Sequence, residues 1–397
     1  MNSVVIGNTG IRPVTYGLAL YFFLIATDCF PLGAVGSLLK IFALIPVGLS
    51  LLEIRQMRIR FDPLIVFQFL FLILAVLSLF YSVDQSSTVA VVITLSLNLV
   101  LVFSLGSMLS YSETEVNFLF KAMLYGSWLT VVLMLVFSNV SHDGRLTLQL
   151  GEGAQDQNYI NGYILFAFSY HCKSAFWDRK WKHGILVLLL FVIVLLTGSR
   201  GALLAYITVA LVHLFRMVIN TGKAVRNLLL LIAIVLVALI AFEAVLNQLP
   251  ADIAQRFSWD FIMETGTTGR IRIWKDLWNH FCDGSMFRML FGHGYGTTIT
   301  VSIQGKVAHN LYLDNLITLG VFGLLLQILT QICVLREMVR QKELVLLGTY
   351  VGFLVMCLSL SLTAYKPIWN IMMITMIMRY SVQNNGNVLQ KIQEVAR

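Results

Sequence analysis

Apolar runs of 15 to 25 residues recur along the whole chain, separated by short polar or charged breaks, and a single break is long: residues 248–308. Runs of this length match helices crossing a hydrocarbon layer of ~30 Å, and no stretch alternates at period two over the lengths an outer-membrane barrel needs. In lipid the helix is then the spanning element that satisfies its own backbone. The pattern predicts an all-α polytopic membrane protein with about twelve transmembrane helices, at 14–30, 34–52, 63–81, 88–109, 118–138, 158–176, 184–198, 201–219, 227–247, 309–335, 344–363 and 365–381. Residues 1–397 read as one integral membrane domain, with 248–308 as a loop inside it that carries short helices.

Composition narrows the class. At 58% hydrophobic and 12% charged residues, with mean hydropathy +0.81, the chain lacks the charged surface of a soluble domain. With the N-terminus placed inside, seventeen Lys and Arg fall in or beside the inward loops, against three (Arg145, Arg200, Lys366) in the short outward ones. That asymmetry predicts cytoplasmic N- and C-termini in a bacterial plasma membrane, with 248–308 extracytoplasmic. The net charge of +8 is accounted for by inner loops facing anionic lipid, and nucleic-acid binding has no support. The first run has weak basic flanking and no small-residue cleavage site, so it is expected to remain as an anchor. Five cysteines, Cys29, Cys172, Cys282, Cys333 and Cys357, are scattered without metal-ligand spacing, and only Cys29 and Cys282 are placed to meet on the outer side.

Six of the nine basic residues on the outward side are arginines: Arg145, Arg200, Arg256, Arg270, Arg272 and Arg288. Arginine's planar fork suits bidentate contact with phosphate oxygens, so an anionic ligand is implied. Arg200 stands out within Thr197-Gly198-Ser199-Arg200-Gly201, the break between two strongly apolar runs. The preceding run gives only ~22 Å of helix, so this turn is expected below the outer surface, where a guanidinium needs a polar cavity or a partner. A second cationic element is Gly269-Arg270-Ile271-Arg272-Ile273-Trp274. Its continuation places Ile271, Trp274, Leu277 and Trp278 at the spacing of an amphipathic helix suited to lying on the outer leaflet. Arg270 and Arg272 then sit near a helix N-terminus that also favours anions. A third element comprises Phe291-Gly292-His293-Gly294-Tyr295-Gly296, then Ala308-His309-Asn310-Leu311-Tyr312, then Gly320 and Gly323, whose spacing suggests close helix packing. His309 opens an apolar run, and the helix dipole together with nearby arginines keeps its imidazole neutral, as a general base requires. Arg145 lies in the polar segment 138–158 on the same face.

Taken in this order and spacing, these elements resemble the O-antigen ligase and polymerase superfamily, including its Wzy-type surface-polysaccharide polymerases. The resemblance rests on Thr197 to Ala202, Gly269-Arg270 with Trp274, Leu290 to Gly296, His309 to Leu313 and Gly320 to Gly323; it is strong over about 185–335. It implies a membrane glycosyltransferase of the GT-C type that uses an oligosaccharide carried on polyprenyl diphosphate. By matched position Arg200 and Arg270 are implied to contact the diphosphate and His309 to be the base. Arg145 and Arg272 are implied supporting cations, and Asn310 and Tyr312 further substrate-binding residues. No cofactor or metal is expected, and one displacement would invert the anomeric carbon. Expected partners are the lipid-linked glycan, membrane lipids, a chain-length regulator and a flippase. Polymerase is favoured; a ligase delivering the glycan to lipid A–core uses the same residues. A lipid or solute transporter is the competing class, but the motifs occupy one half and one face rather than two related halves.

Overall fold

The computed structural model describes residues 10–31, 37–141, 144–150, 153–154, 156–220, 248, 251–258, 261 and 269–381. Its helices follow the apolar runs: α1 Pro13–Phe23, α2 Leu38–Ser50, α3 Pro63–Leu77, α4 Gln85–Leu101, α5 Glu113–Val136, α6 Gln157–Phe176, α7 Trp181–Leu196 and α8 Arg200–Asn220. Short helices follow in the long polar interruption: α9 Ala251–Phe257, α10 Arg270–Cys282, α11 Met286–Phe291 and α12 Thr298–Val301. The chain returns to long apolar helices with α13 Leu311–Gln341, α14 Leu344–Cys357 and α15 Lys366–Arg379. The predicted run 227–247 lies outside the described residues; the other eleven each coincide with a helix. Among the described residues, five helical stretches are both long and apolar enough to cross a membrane, Pro63–Phe80, Gln85–Ser107, Glu113–Val136, Arg200–Met217 and Leu311–Gln341, which is compatible with a polytopic membrane protein.

Local chemistry explains where the helices begin. Asp62, Asp84 and Asp156 accept hydrogen bonds from the backbone N–H groups of Leu64, Ser87 and Asn158, and Ser112 with Glu115 forms a capping box on α5. Proline occupies the first turn of α1, α3 and α15, where its missing N–H costs nothing. Buried apolar side chains from α1, α3 to α8 and α13 to α15 form one continuous core, with α8 packed on α14 and α6, and α13 on α3.

Three features depart from the sequence reading. Three short strands, β1 Ser138–Val140, β2 Leu146–Leu150 and β3 Gly153–Ala154, pair as a small antiparallel sheet in a segment read only as polar loop. The signal was the alternation of Leu146, Leu148 and Leu150, too short to stand out beside long apolar runs. Second, α10 turns Ile273 and Leu277 inward onto Ala308 and Ile317, leaving Ile271 and Trp278 exposed. Part of its apolar face therefore packs on protein, while Ile271 and Trp278 stay on the outside. Third, Gly320 (φ 68°) breaks α13 into two parts, in addition to the close packing read from the sequence. The carbonyl oxygens of Ile317 and Thr318 before the break accept the N–H groups of His293 and Gly294, at 3.1 and 3.0 Å. A Cβ on Gly320 would overlap the Leu290 backbone, and one on Gly292 the Thr318 carbonyl, so the two glycines allow this mutual approach. No disulfide joins Cys29, which is buried, to Cys282, which is exposed, so the pairing considered from sequence is not formed.

Candidate active site

The first wall of the site is the turn between α7 and α8. Gly198 adopts φ 61°, which reverses the chain immediately before Arg200 opens α8. Three side chains from distant segments grip that turn. Arg145 donates from Nε to the Thr197 carbonyl oxygen at 2.8 Å, Arg256 donates from Nε to that of Gly198 at 3.3 Å, and Ser199 Oγ donates to Asn158 Oδ1 at 2.8 Å. A Cβ on Gly198 would press on both the Arg145 and Arg256 side chains, and one on Gly201 would run into Ser359. Glycine at these two positions follows from crowding.

The second wall is built by the long polar interruption. Gly269 (φ 77°) ends the approach to α10 and Arg270 begins it. One turn on, Trp274 Nε1 donates to the Ala308 carbonyl oxygen at 2.8 Å, fixing the residue that precedes His309. Asn310 then caps α13, its Oδ1 accepting from the N–H groups of Tyr312 and Leu313 at 3.0 Å each. Held between these two constraints, His309 takes φ 49°, a left-handed conformation costing roughly 1–2 kcal/mol in a non-glycine residue.

Between the walls lies a cavity of about 470 Å³. Arg145, Arg200, Arg256, Arg270, Lys306 and His309 line it, together with Asn158 and Ser359, and none of the described residues lining it is a carboxylate. The arginines divide into two groups. Arg145 and Arg256 donate to turn carbonyls, whereas among the described residues Arg200 and Arg270 form no hydrogen bond or ion pair; Arg200 lies 5.9 Å from the ring centre of Phe261. Burial, and then the like charges of Arg200 and Arg256, disfavour the charged form of Arg270, opposed by Asp156. Cations gathered with so little compensation favour a multivalent anion between them, and guanidinium forks suit phosphate oxygens.

His309 is arranged to stay neutral. Burial first, and then Arg270 and Lys306, hold its imidazole below the ordinary range, with Asp156 acting in the opposite sense. Among the described residues its Nδ1 is buried without a hydrogen-bond partner, so Nε2 is the ring nitrogen able to meet a ligand in the cavity. A neutral imidazole beside an anion-binding pair can accept a proton from a hydroxyl as charge builds on a leaving group.

Of the residues singled out from sequence, Arg145, Arg200, Arg270 and His309 meet in this cavity. Arg272 is exposed on α10 and does not line it. Asn310 uses its Oδ1 on the α13 cap and donates from Nδ2 to the Leu358 carbonyl oxygen at 3.3 Å. Tyr312 donates to Gln331 Oε1 at 3.2 Å, and neither Asn310 nor Tyr312 lines the cavity. Sequence reasoning did not single out Asn158, Lys306 or Ser359, and it counted Arg256 among the outward arginines without giving it a role in the site. Asn158 had a local signal, since it follows the helix-capping Asp156, but its approach to Ser199 is a long-range contact with no trace in spacing.

Residues 185–328 match the family model described as O-antigen ligase. The matched stretch holds Arg200, Arg256, Arg270, Lys306, His309 and the interlocked Gly292 and Gly320, while Arg145 and Asn158 lie before it. The match supports the O-antigen ligase and polymerase superfamily and a membrane glycosyltransferase-like activity, without separating ligase from polymerase. No curated protein matches the chain.

Proposed function

We propose that this chain is a surface-polysaccharide polymerase: it transfers a glycan from polyprenyl diphosphate to a hydroxyl of another lipid-linked repeat unit, at the outer face of a bacterial plasma membrane. The observation that carries the proposal is the convergence of Arg200 and Arg270, both without hydrogen-bond or ion-pair partners among the described residues, on one cavity with His309. In the proposed step the acceptor oxygen attacks the anomeric carbon and the bond from that carbon to the diphosphate oxygen breaks. The acceptor proton passes to His309 Nε2, and the electron pair leaves with the diphosphate. Backside attack in one displacement inverts the anomeric centre. Arg200 and Arg270 stabilise the charge gathering on the leaving diphosphate, an effect on the order of 10²–10³ in rate for each well-placed donor, and the base adds roughly 10²–10⁴.

Arg145 and Arg256 then act through the turn they hold, and Lys306 adds positive potential to the cavity. Arg272, exposed on α10, is proposed to meet the glycan or lipid headgroups outside the cavity, and Asn310 and Tyr312 to serve by shaping the segment that follows His309. The basic-residue asymmetry supports cytoplasmic termini and an outward long loop.

A second reading is transfer to lipid A–core, favoured by the description of the matched family. The acceptor decides between them. Purified protein in liposomes is supplied with one defined lipid-linked repeat unit and, separately, with that donor plus lipid A–core. Inverted linkages between repeat units support the polymerase; product only on lipid A–core supports the ligase; retained anomeric configuration contradicts both.

A further inference from the structure

Asn158 has both ends of its side-chain amide committed. Asp156 Oδ1 accepts from the Asn158 backbone N–H at 2.7 Å and from its Nδ2 at 2.8 Å. On the other side, Asn158 Oδ1 accepts from Ser199 Oγ at 2.8 Å and from Arg145 Nη2 at 3.3 Å. A carboxylate on the nitrogen side and two donors on the oxygen side leave the amide a single orientation. Ser199 is buried, immediately precedes Arg200, and presents its Oγ 3.4 Å from the Ala202 N–H in the first turn of α8. Asp156 in turn is the carboxylate whose charge acts on both Arg270 and His309 on the opposite wall.

We infer that Asn158, oriented by Asp156, is a positioning residue that holds the Arg200 turn in register with the Arg270–His309 wall of the cavity. The inference rests on the proposed diphosphate-binding role of that cavity. The turn has other supports, the donors of Arg145 and Arg256 and the bond from Asn161 Nδ2 to Thr197 Oγ1 at 3.0 Å, so it stays folded without Asn158. What Asn158 adds is the placement of Ser199 and hence of the guanidinium after it. A group misplaced by about 1 Å loses on the order of 10²-fold in rate.

The test uses three variants of the full chain in detergent: N158A, N158D and the exchange D156N/N158D. Binding of polyprenyl diphosphate alone is titrated, the thermal midpoint recorded, and kcat and donor KM measured with a lipid-linked glycan. In N158A, affinity for polyprenyl diphosphate and kcat each fall about tenfold or more while the thermal midpoint holds. N158D sets carboxylate against carboxylate and does no better. The exchange reverses the relay: the amide placed at position 156 still caps α6 and donates to the carboxylate placed at position 158, which still accepts from Ser199 and Arg145. Both quantities then recover to within about threefold of wild type. N158A within twofold of wild type in both, or a folded exchange variant with no recovery, overturns the inference. Wild-type protein that binds polyprenyl diphosphate yet forms no glycosidic bond sinks the transferase reading while the binding titrations still decide the role of Asn158. Wild-type protein that does not bind it overturns both.

Discussion

Trp274 Nε1 donates to the Ala308 carbonyl oxygen at 2.8 Å, so the helix that begins with Arg270 and the segment that carries His309 are fastened one residue before the imidazole. Trp274→Phe keeps a ring but removes the donor and strands a carbonyl beside the site. The loss of one such bond is worth roughly 1 kcal/mol, and kcat is expected to fall between about five- and tenfold with donor KM little changed. Steady-state kinetics on Trp274→Phe and Trp274→Ala check this; unchanged kcat in both would mean that His309 is placed by something else.

Arg200→Ala and Arg270→Ala are each expected to lower kcat/KM on the order of 10²–10³-fold without lowering the amount of folded protein, since neither guanidinium bonds to another described residue. Lysine at either position should restore only part of the loss, because a point charge cannot reproduce a bidentate fork. Arg145→Ala should instead lower the thermal midpoint as well, because Arg145 is buried and holds the Thr197 carbonyl. Paired activity and thermal-shift measurements separate the two classes.

The pH dependence follows from the environment of His309. Burial, Arg270 and Lys306 lower its pKa, and a general base works when deprotonated. The rate should therefore be level at neutral pH and fall only as pH drops through a value below the ordinary imidazole range near ~6.5. Lys306→Ala removes a repelling charge and should move the acid limb upward; Asp156→Asn removes an attracting one and should move it downward. A profile of kcat/KM against pH with its acid limb above ~6.5 in the wild type would contradict the assignment.

Gly292 and Gly320 face each other across a backbone contact, and both adopt left-handed φ, 77° and 68°. Alanine at either should destabilise the fold by more than the roughly 1–2 kcal/mol of left-handed strain alone, because the new methyl meets backbone that cannot rotate aside. A fall of several degrees in thermal midpoint is expected, with loss of the His293 and Gly294 bonds to the broken helix. Gly269→Ala is the control: a Cβ there meets nothing within 4 Å, so only the strain of its φ of 77° should register.

The helices and several site residues were legible in the sequence because each carries a local signal. Apolar runs mark the helices, Asp62, Asp84 and Asp156 mark their starts, and Gly269 sits immediately before Arg270 and Gly198 two residues before Arg200. What was not legible is every relationship made across the chain. Arg256 on a short helix and Arg145 in a strand-bearing loop both reach the 197–198 turn, Asn158 reaches Ser199, and Gly292 meets the Gly320 break. The inward turn of Ile273 and Leu277 was hidden for a different reason. An amphipathic stripe looks the same whether lipid or protein covers it, and only the position of Ala308 and Ile317 decides.

The most direct measurement is glycan extension by purified protein in liposomes supplied with one lipid-linked repeat unit, comparing wild type with His309→Ala. Wild type should give a ladder of longer glycans on polyprenyl diphosphate, and His309→Ala, equally folded and still binding the donor, should give none. Extension by His309→Ala at the wild-type rate, or movement of the donor across the bilayer with no new glycosidic bond in the wild type, would contradict a transfer centred on His309, Arg200 and Arg270.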